Sequence, residues 1–211
     1  MTDPKTLFLD AFAACPLVAV LRGLTPAESE DVGDALVGAG FTMLEVPLNS
    51  PDPYESIAKL VRRHGDKALV GAGTVLTVEQ VGLVAAAGGK LVVSPNSDPA
   101  VIAATVAAGM VSLPGYFTPS EGFAALAAGA HGLKLFPAEG ASPAFLKAQR
   151  AVLPKETKVL AVGGITPEVM PQWRAAGADG FGLGSNLYRA GKPAAEVAAE
   201  ATRFVAAVHA L

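Results

Sequence analysis

One pattern recurs eight times along the 211 residues: a short apolar run, a loop, an Ala-rich stretch of helical length, and a glycine that ends it. The apolar runs fall at 17–21, 42–48, 69–72, 91–94, 111–113, 132–136, 159–162 and 180–183. They are too short and too uniformly apolar to alternate, as expected of parallel strands covered on both faces. Thr25-Pro26, Ser50-Pro51, Asp98-Pro99, Thr118-Pro119, Ser142-Pro143 and Thr166-Pro167 each place a capping side chain before a proline suited to the first helical turn. Gly40, Gly88, Gly109, Gly129 and Gly177 stand where helices should stop.

The period is roughly 20–27 residues, and no linker or shift in composition interrupts it. Eight βα units in one chain predict a single α/β domain over 1–211, a (β/α)8 TIM barrel. An extra N-terminal helix over 4–14 precedes the first strand. The competing architecture is an open doubly wound sheet. It wants a glycine fingerprint after the first strand, and Arg22-Gly23-Leu24-Thr25 is not one.

Composition narrows the function classes. Hydrophobic residues make up 51% and charged ones 17%, with a formal net charge of -3. That excludes a disordered chain and offers no global attraction to nucleic acid or anionic membrane. The single cysteine, Cys15, cannot form an intrachain disulfide, and His64, His131 and His209 lie far apart. No metal site and no cofactor are expected. Asp10 interrupts the apolar stretch 7–15 that otherwise resembles a secretory leader. No run approaches the ~18 apolar residues of a membrane span. A soluble cytoplasmic protein without nucleic-acid or membrane partners is expected.

Chemistry in such a barrel sits at the C-terminal ends of the strands, so polar residues in or just after the apolar runs are informative. Lys134 falls in the middle of the sixth run, whereas its nearest rival, Lys90, precedes a strand at the opposite end. A buried lysine must be paired, ligand-bound or partly neutral. A neutral one can attack a ketone to form a Schiff base, and one that stays charged can pair with a phosphate or carboxylate. Glu45, within the second run, is equally hard to explain by packing. It is read as a proton shuttle facing Lys134 across the lumen, or as its partner in a structural ion pair. Arg22 closes the first run and suits an anion, and Thr74 follows the third. Gly163-Gly164 and Gly182-Leu183-Gly184-Ser185 follow the seventh and eighth runs, where barrels most often cradle phosphate on backbone N–H groups. The same glycines would also serve tight turns alone.

The strings Val20-Leu21-Arg22-Gly23, Leu44-Glu45-Val46-Pro47-Leu48-Asn49-Ser50-Pro51, Val70-Gly71-Ala72-Gly73-Thr74-Val75-Leu76, Leu133-Lys134-Leu135-Phe136-Pro137 and Ala161-Val162-Gly163-Gly164-Ile165-Thr166-Pro167 resemble the class I 2-keto-3-deoxy-6-phosphosugar-acid aldolases over nearly the whole chain. The resemblance implies metal-independent retro-aldol cleavage of a small phosphorylated sugar acid to pyruvate and D-glyceraldehyde 3-phosphate. It implies Lys134 as the Schiff-base lysine and Glu45 as the carboxylate that moves protons through a water. It places Arg22 and Thr74 near the substrate carboxylate, Pro95 and Phe136 around the lysine, Gly163, Gly164, Gly184 and Ser185 at the phosphate, and Val162 and Leu183 among the substrate-binding residues. It further implies a homotrimer. Asn49 and Val162 depart from the gluconate-type pattern, which has arginine and threonine there, so the galactonate epimer is the expected substrate. The gluconate epimer and a non-catalytic phosphate-binding barrel are the alternatives.

Overall fold

Every strand residue is buried, and successive side chains point alternately into a closed barrel and out to the helices. In the computed structural model, which describes residues 3–211, the first strand is β1 (Leu17–Val20), followed by β2 (Met43–Pro47), β3 (Leu69–Gly73) and β4 (Leu91–Val93). Next come β5 (Val111–Leu113), β6 (Gly115–Tyr116), β7 (Leu133–Leu135), β8 (Val159–Val162) and β9 (Gly180–Leu183). All neighbouring pairs are parallel, in the order β5-β4-β3-β2-β1-β9-β8-β7-β6. The two ends of that order, β5 and β6, are consecutive in the chain and separated only by Pro114. Proline has no N–H to give to a ladder, and its carbonyl instead accepts from the Lys134 N–H at 2.9 Å. The fifth expected strand is therefore one strand split in two, β5 pairing with β4 and β6 with β7, and the barrel closes through it. Residues 1 and 2 of the expected domain lie outside the described residues.

Val18, Val20, Val93, Leu113, Leu160 and Val162 face the lumen. Their neighbours Leu17, Ala19, Leu44, Val70, Val92 and Ala161 face the surrounding helices, in a second and larger apolar layer. Helix α1 (Pro4–Ala14) is found where it was expected, capped by the Asp3 carboxylate, which accepts from the Thr6 N–H. Its Phe8 and Phe12 rings, centroids 5.3 Å apart, pack with Val18, Met43, Leu69, Leu91 and Val111. They stopper the barrel at the N-terminal end of the strands, so a substrate can reach the lumen only from the other end.

Local signals explain most of the helix boundaries. Asp98, Thr118 and Ser142 cap α5 (Pro99–Ala107), α6 (Pro119–Ala127) and α7 (Pro143–Arg150) as expected. The five expected glycine stops all have positive φ, from 69° at Gly109 to 106° at Gly40. Three expected starts are displaced. α2 (Ser29–Gly38), α3 (Pro53–His64) and α8 (Met170–Ala175) each begin a few residues late, after a turn. At the expected start of α3 the Ser50 hydroxyl accepts from the Gly23 N–H at 3.0 Å, in the loop after β1, and caps no helix N–H. The remaining helices are α4 (Val78–Ala86) and α9 (Ala194–His209). No described helix is long and apolar enough to cross a membrane.

Candidate active site

Lys134 enters the lumen from the middle of β7 and Glu45 from the middle of β2, and both line the cavity inside the strands. They are among the few buried charged side chains, Lys134 at 8% exposure and Glu45 at 1%. Their inward direction follows from the period of two that turns Leu133 and Leu135, and Leu44 and Val46, to the helices. No direct ion pair joins the two, and the Glu45 Oε2 atom is buried without a hydrogen-bond partner. A purely structural ion pair is therefore not what the lumen contains. Gly73, at the end of β3, leaves the space that the Glu45 carboxylate fills, since a Cβ there would overlap it.

The electrostatics follow from this burial. Loss of hydration pushes the Glu45 carboxyl up to about 7, against the opposing pull of Lys134 and then Arg22. Loss of hydration also draws the Lys134 ammonium below the usual lysine range, with Arg22 acting in the same sense and Glu45 against it. The Lys134 Nζ lies 4.5 Å from the centre of the Phe136 ring, an apolar wall with a weakly attractive face. The result is an amine and an acid whose proton affinities have moved towards each other in a nearly dry chamber. That is what nucleophilic attack by an amine followed by proton transfer requires. Lys90 and Lys147 are exposed on the outside of the barrel.

Beyond the strand ends the lumen opens into a pocket of about 420 Å³. Lys134, Phe136 and Val162 form its inner wall, and Arg22 stands on the β1 side. Gly163, Gly164, Gly184 and Ser185 line the side after β8 and β9. Gly163 and Gly164 have φ of 116° and 66°, a left-handed path that strains any side chain. The Arg22 Nη1 donates to the Asn49 Oδ1 at 2.7 Å, tying the loops after β1 and β2 together. Thr74 has a φ of 57°, an outlier for a β-branched residue, costing about 1–3 kcal/mol. It turns the chain directly after Gly73.

The structure thus gathers Lys134, Arg22, Phe136, Val162, Gly163, Gly164, Gly184 and Ser185 around one opening, with Glu45 beneath it. Three expected residues stand apart. Thr74 and Pro95 are at the same end of the barrel but line neither cavity, among the described residues. The Leu183 side chain, 1% exposed, packs among the helices, because Gly182 takes the inward position beside it. The sequence reading missed Glu139, Asn186, Tyr188 and Arg189, which also line the pocket. They lie after the strands, on loops and turns, where apolar runs give no signal. The Tyr188 hydroxyl donates to the Glu28 carboxylate, and the Arg189 Nε donates to the Ser185 carbonyl at 3.0 Å. Among the described residues no group of three or more His, Cys, Asp or Glu is placed to hold a metal ion.

Comparisons with known proteins agree with one another. The family described as KDPG and KHG aldolase matches residues 10–202. A probable 2-dehydro-3-deoxy-6-phosphogalactonate aldolase of Rhizobium meliloti (strain 1021) is 50% identical over 93% of this chain and 92% of its own. The 2-dehydro-3-deoxy-6-phosphogalactonate aldolase of Escherichia coli (strain K12) is 50% identical over 91% of this chain and 94% of its own. A solved structure described as native KDPGal superposes with a TM-score of 0.91 at 49% identity, over 92% of this chain and 95% of that one.

Proposed function

The chain belongs to the KDPG and KHG aldolase family, and from that premise we propose that it cleaves 2-dehydro-3-deoxy-6-phospho-D-galactonate to pyruvate and D-glyceraldehyde 3-phosphate through a Schiff base on Lys134. The observation that carries this reading is the buried Lys134–Glu45 pair, unpaired by any direct ion pair, beneath a glycine-lined pocket.

The geometry supports the following course of reaction. The neutral Lys134 Nζ attacks the C2 ketone, and the carbinolamine loses water to give an iminium ion. That cation draws the electrons of the C3–C4 bond as the bond breaks, while the C4 hydroxyl proton leaves and the aldehyde departs. The enamine takes a proton at C3, and hydrolysis releases pyruvate and the free amine. Glu45, with its carboxyl near pKa 7, alternately gives and takes these protons through a water. Arg22 faces the substrate carboxylate. The backbone around Gly163, Gly164, Gly184 and Ser185 receives the phosphate. Phe136 and Pro95 shape the wall about the lysine, Leu183 contributes main chain only, and Thr74 sets the path of the loop over Glu45.

Val162 faces the lumen as an apolar group and offers nothing to a hydroxyl, which supports the galactonate over the gluconate epimer. The 50% identity to two phosphogalactonate aldolases supports the same choice. The exposed apolar residues Leu76, Val78, Leu83, Val106 and Phe123, on or beside α4, α5 and α6, support self-association, which we assign as a homotrimer. A phosphorylated substrate, which does not cross membranes freely, supports a cytoplasmic location. Cleavage rates on the two 6-phosphorylated epimers side by side test the assignment: the galactonate should be preferred, and no cleavage of either would refute it.

A further inference from the structure

The pocket is lined by basic side chains and holds a single carboxylate among its described lining residues. Arg22, Lys134 and Arg189 supply the basic groups, and Val20, Phe136, Val162 and Ile165 are apolar. The Asn186 Nδ2 donates to the Ile165 carbonyl at 2.9 Å, and the Tyr188 hydroxyl donates to Glu28. The one carboxylate among the described lining residues is Glu139, on the short 3-10 turn Ala138–Gly140 that follows β7. Its side chain lies against both cradle glycines: a Cβ on Gly164 would come within 2.7 Å of the Glu139 Cγ, and one on Gly163 within 2.8 Å of its Cδ. Among the described residues its carboxylate accepts no hydrogen bond and joins no ion pair.

Glu139 is exposed, and beside a phosphate cradle its carboxylate repels the phosphate while it stays free to accept from a neutral hydroxyl. The proposed substrate offers one group of that kind close to the phosphate, the hydroxyl on C5, next to the phosphate-bearing carbon. Resting on the aldolase reading, we propose that Glu139 is a specificity-determining residue that accepts the hydrogen bond of this C5 hydroxyl. It thereby orients the aldehyde half between Lys134 and the glycines. The carboxylate stands five residues beyond Lys134 on the same strand–loop segment and against Gly163 and Gly164, so it lies in the wall shared by the lysine and the cradle.

The test uses the reverse reaction. Pyruvate is condensed with D-glyceraldehyde 3-phosphate or with 3-oxopropyl phosphate, which has the same aldehyde and phosphate and lacks only the hydroxyl that becomes C5–OH. The unmodified enzyme should favour the hydroxylated aldehyde roughly 10- to 100-fold in kcat/KM, the range of a hydrogen bond to a charged group. Glu139→Ala should bring the two within about threefold, and Glu139→Gln, which keeps a carbonyl acceptor, should fall between. Borohydride trapping of pyruvate should be equal in all three, which shows that the fold and the lysine are intact. An unchanged preference in Glu139→Ala would overturn the proposal. So would an equal gain on both aldehydes, which would mean that the carboxylate only repels phosphate. Absence of both trapping and condensation in the unmodified enzyme would instead refute the aldolase reading, and this inference with it.

Discussion

The Arg22 guanidinium donates to the Asn49 side-chain carbonyl at 2.7 Å, so the residue that ends the first strand is held by the one that follows the second. An arginine at position 49 would bring two guanidinium groups together there. Asparagine instead gives Arg22 a fixed orientation without competing for the anion. In the proposed reaction this leaves Arg22 alone to serve the carboxylate end of the substrate.

Asn49→Ala should release Arg22 and raise KM for the keto acid by about fivefold with little change in kcat. Both groups are exposed, so only about 1 kcal/mol is at stake. Steady-state kinetics decide it, and a loss confined to kcat would contradict the role given to Arg22.

Val162→Thr replaces a lumen-facing methyl with a hydroxyl of nearly the same shape. It should shift kcat/KM towards the phosphogluconate epimer by roughly 5- to 150-fold, the worth of one hydrogen bond made for one epimer and not the other. Parallel assays of both epimers read the ratio directly.

Glu45 links stability to pH. Burial raises its carboxyl from 4.5 to about 7, so the folded chain holds a proton that the unfolded chain has lost between those values. The stability contributed by the neutral acid is complete below about 4.5 and disappears as the pH rises through about 7. Glu45→Gln should thus be more stable than the parent by about 3 kcal/mol at pH 8, with the gap closing towards pH 5. Urea midpoints at the two pH values measure it, and a gap that widens on acidification would contradict the buried-acid picture. The same variant should still trap pyruvate on Lys134 but turn over far more slowly.

Ser185→Asp should raise KM for the phosphorylated keto acid at least about tenfold by like-charge repulsion, leaving pyruvate trapping unchanged. An unchanged KM would move the phosphate away from the loop after β9.

The sequence announces the parts of this molecule that are decided locally. The glycine stops, α1 and the helices capped by Asp98, Thr118 and Ser142 depend on a few neighbouring residues, and each is found where the chain predicts it. Lys134 and Glu45 are legible because a charge within an apolar strand has few explanations. Features set by distant partners are not legible. Ser50 reads as a helix cap, yet Gly23 takes its hydroxyl. Pro114 lies between two apolar runs, and only the closed barrel shows that it divides one strand between two neighbours. Leu183 belongs to the right string but turns its side chain outward, because Gly182 holds the inward position. Glu139 and Arg189 carry charge on surface loops, where charge is ordinary, and only the pocket makes them notable.

The account stands on covalent attachment at Lys134. Incubation with pyruvate and borohydride, followed by peptide mapping, reads that attachment directly. A stable three-carbon adduct should appear on the peptide carrying Lys134, and Lys134→Ala should abolish it. An adduct on Lys90 or Lys147, with Lys134 unmodified, would contradict the account.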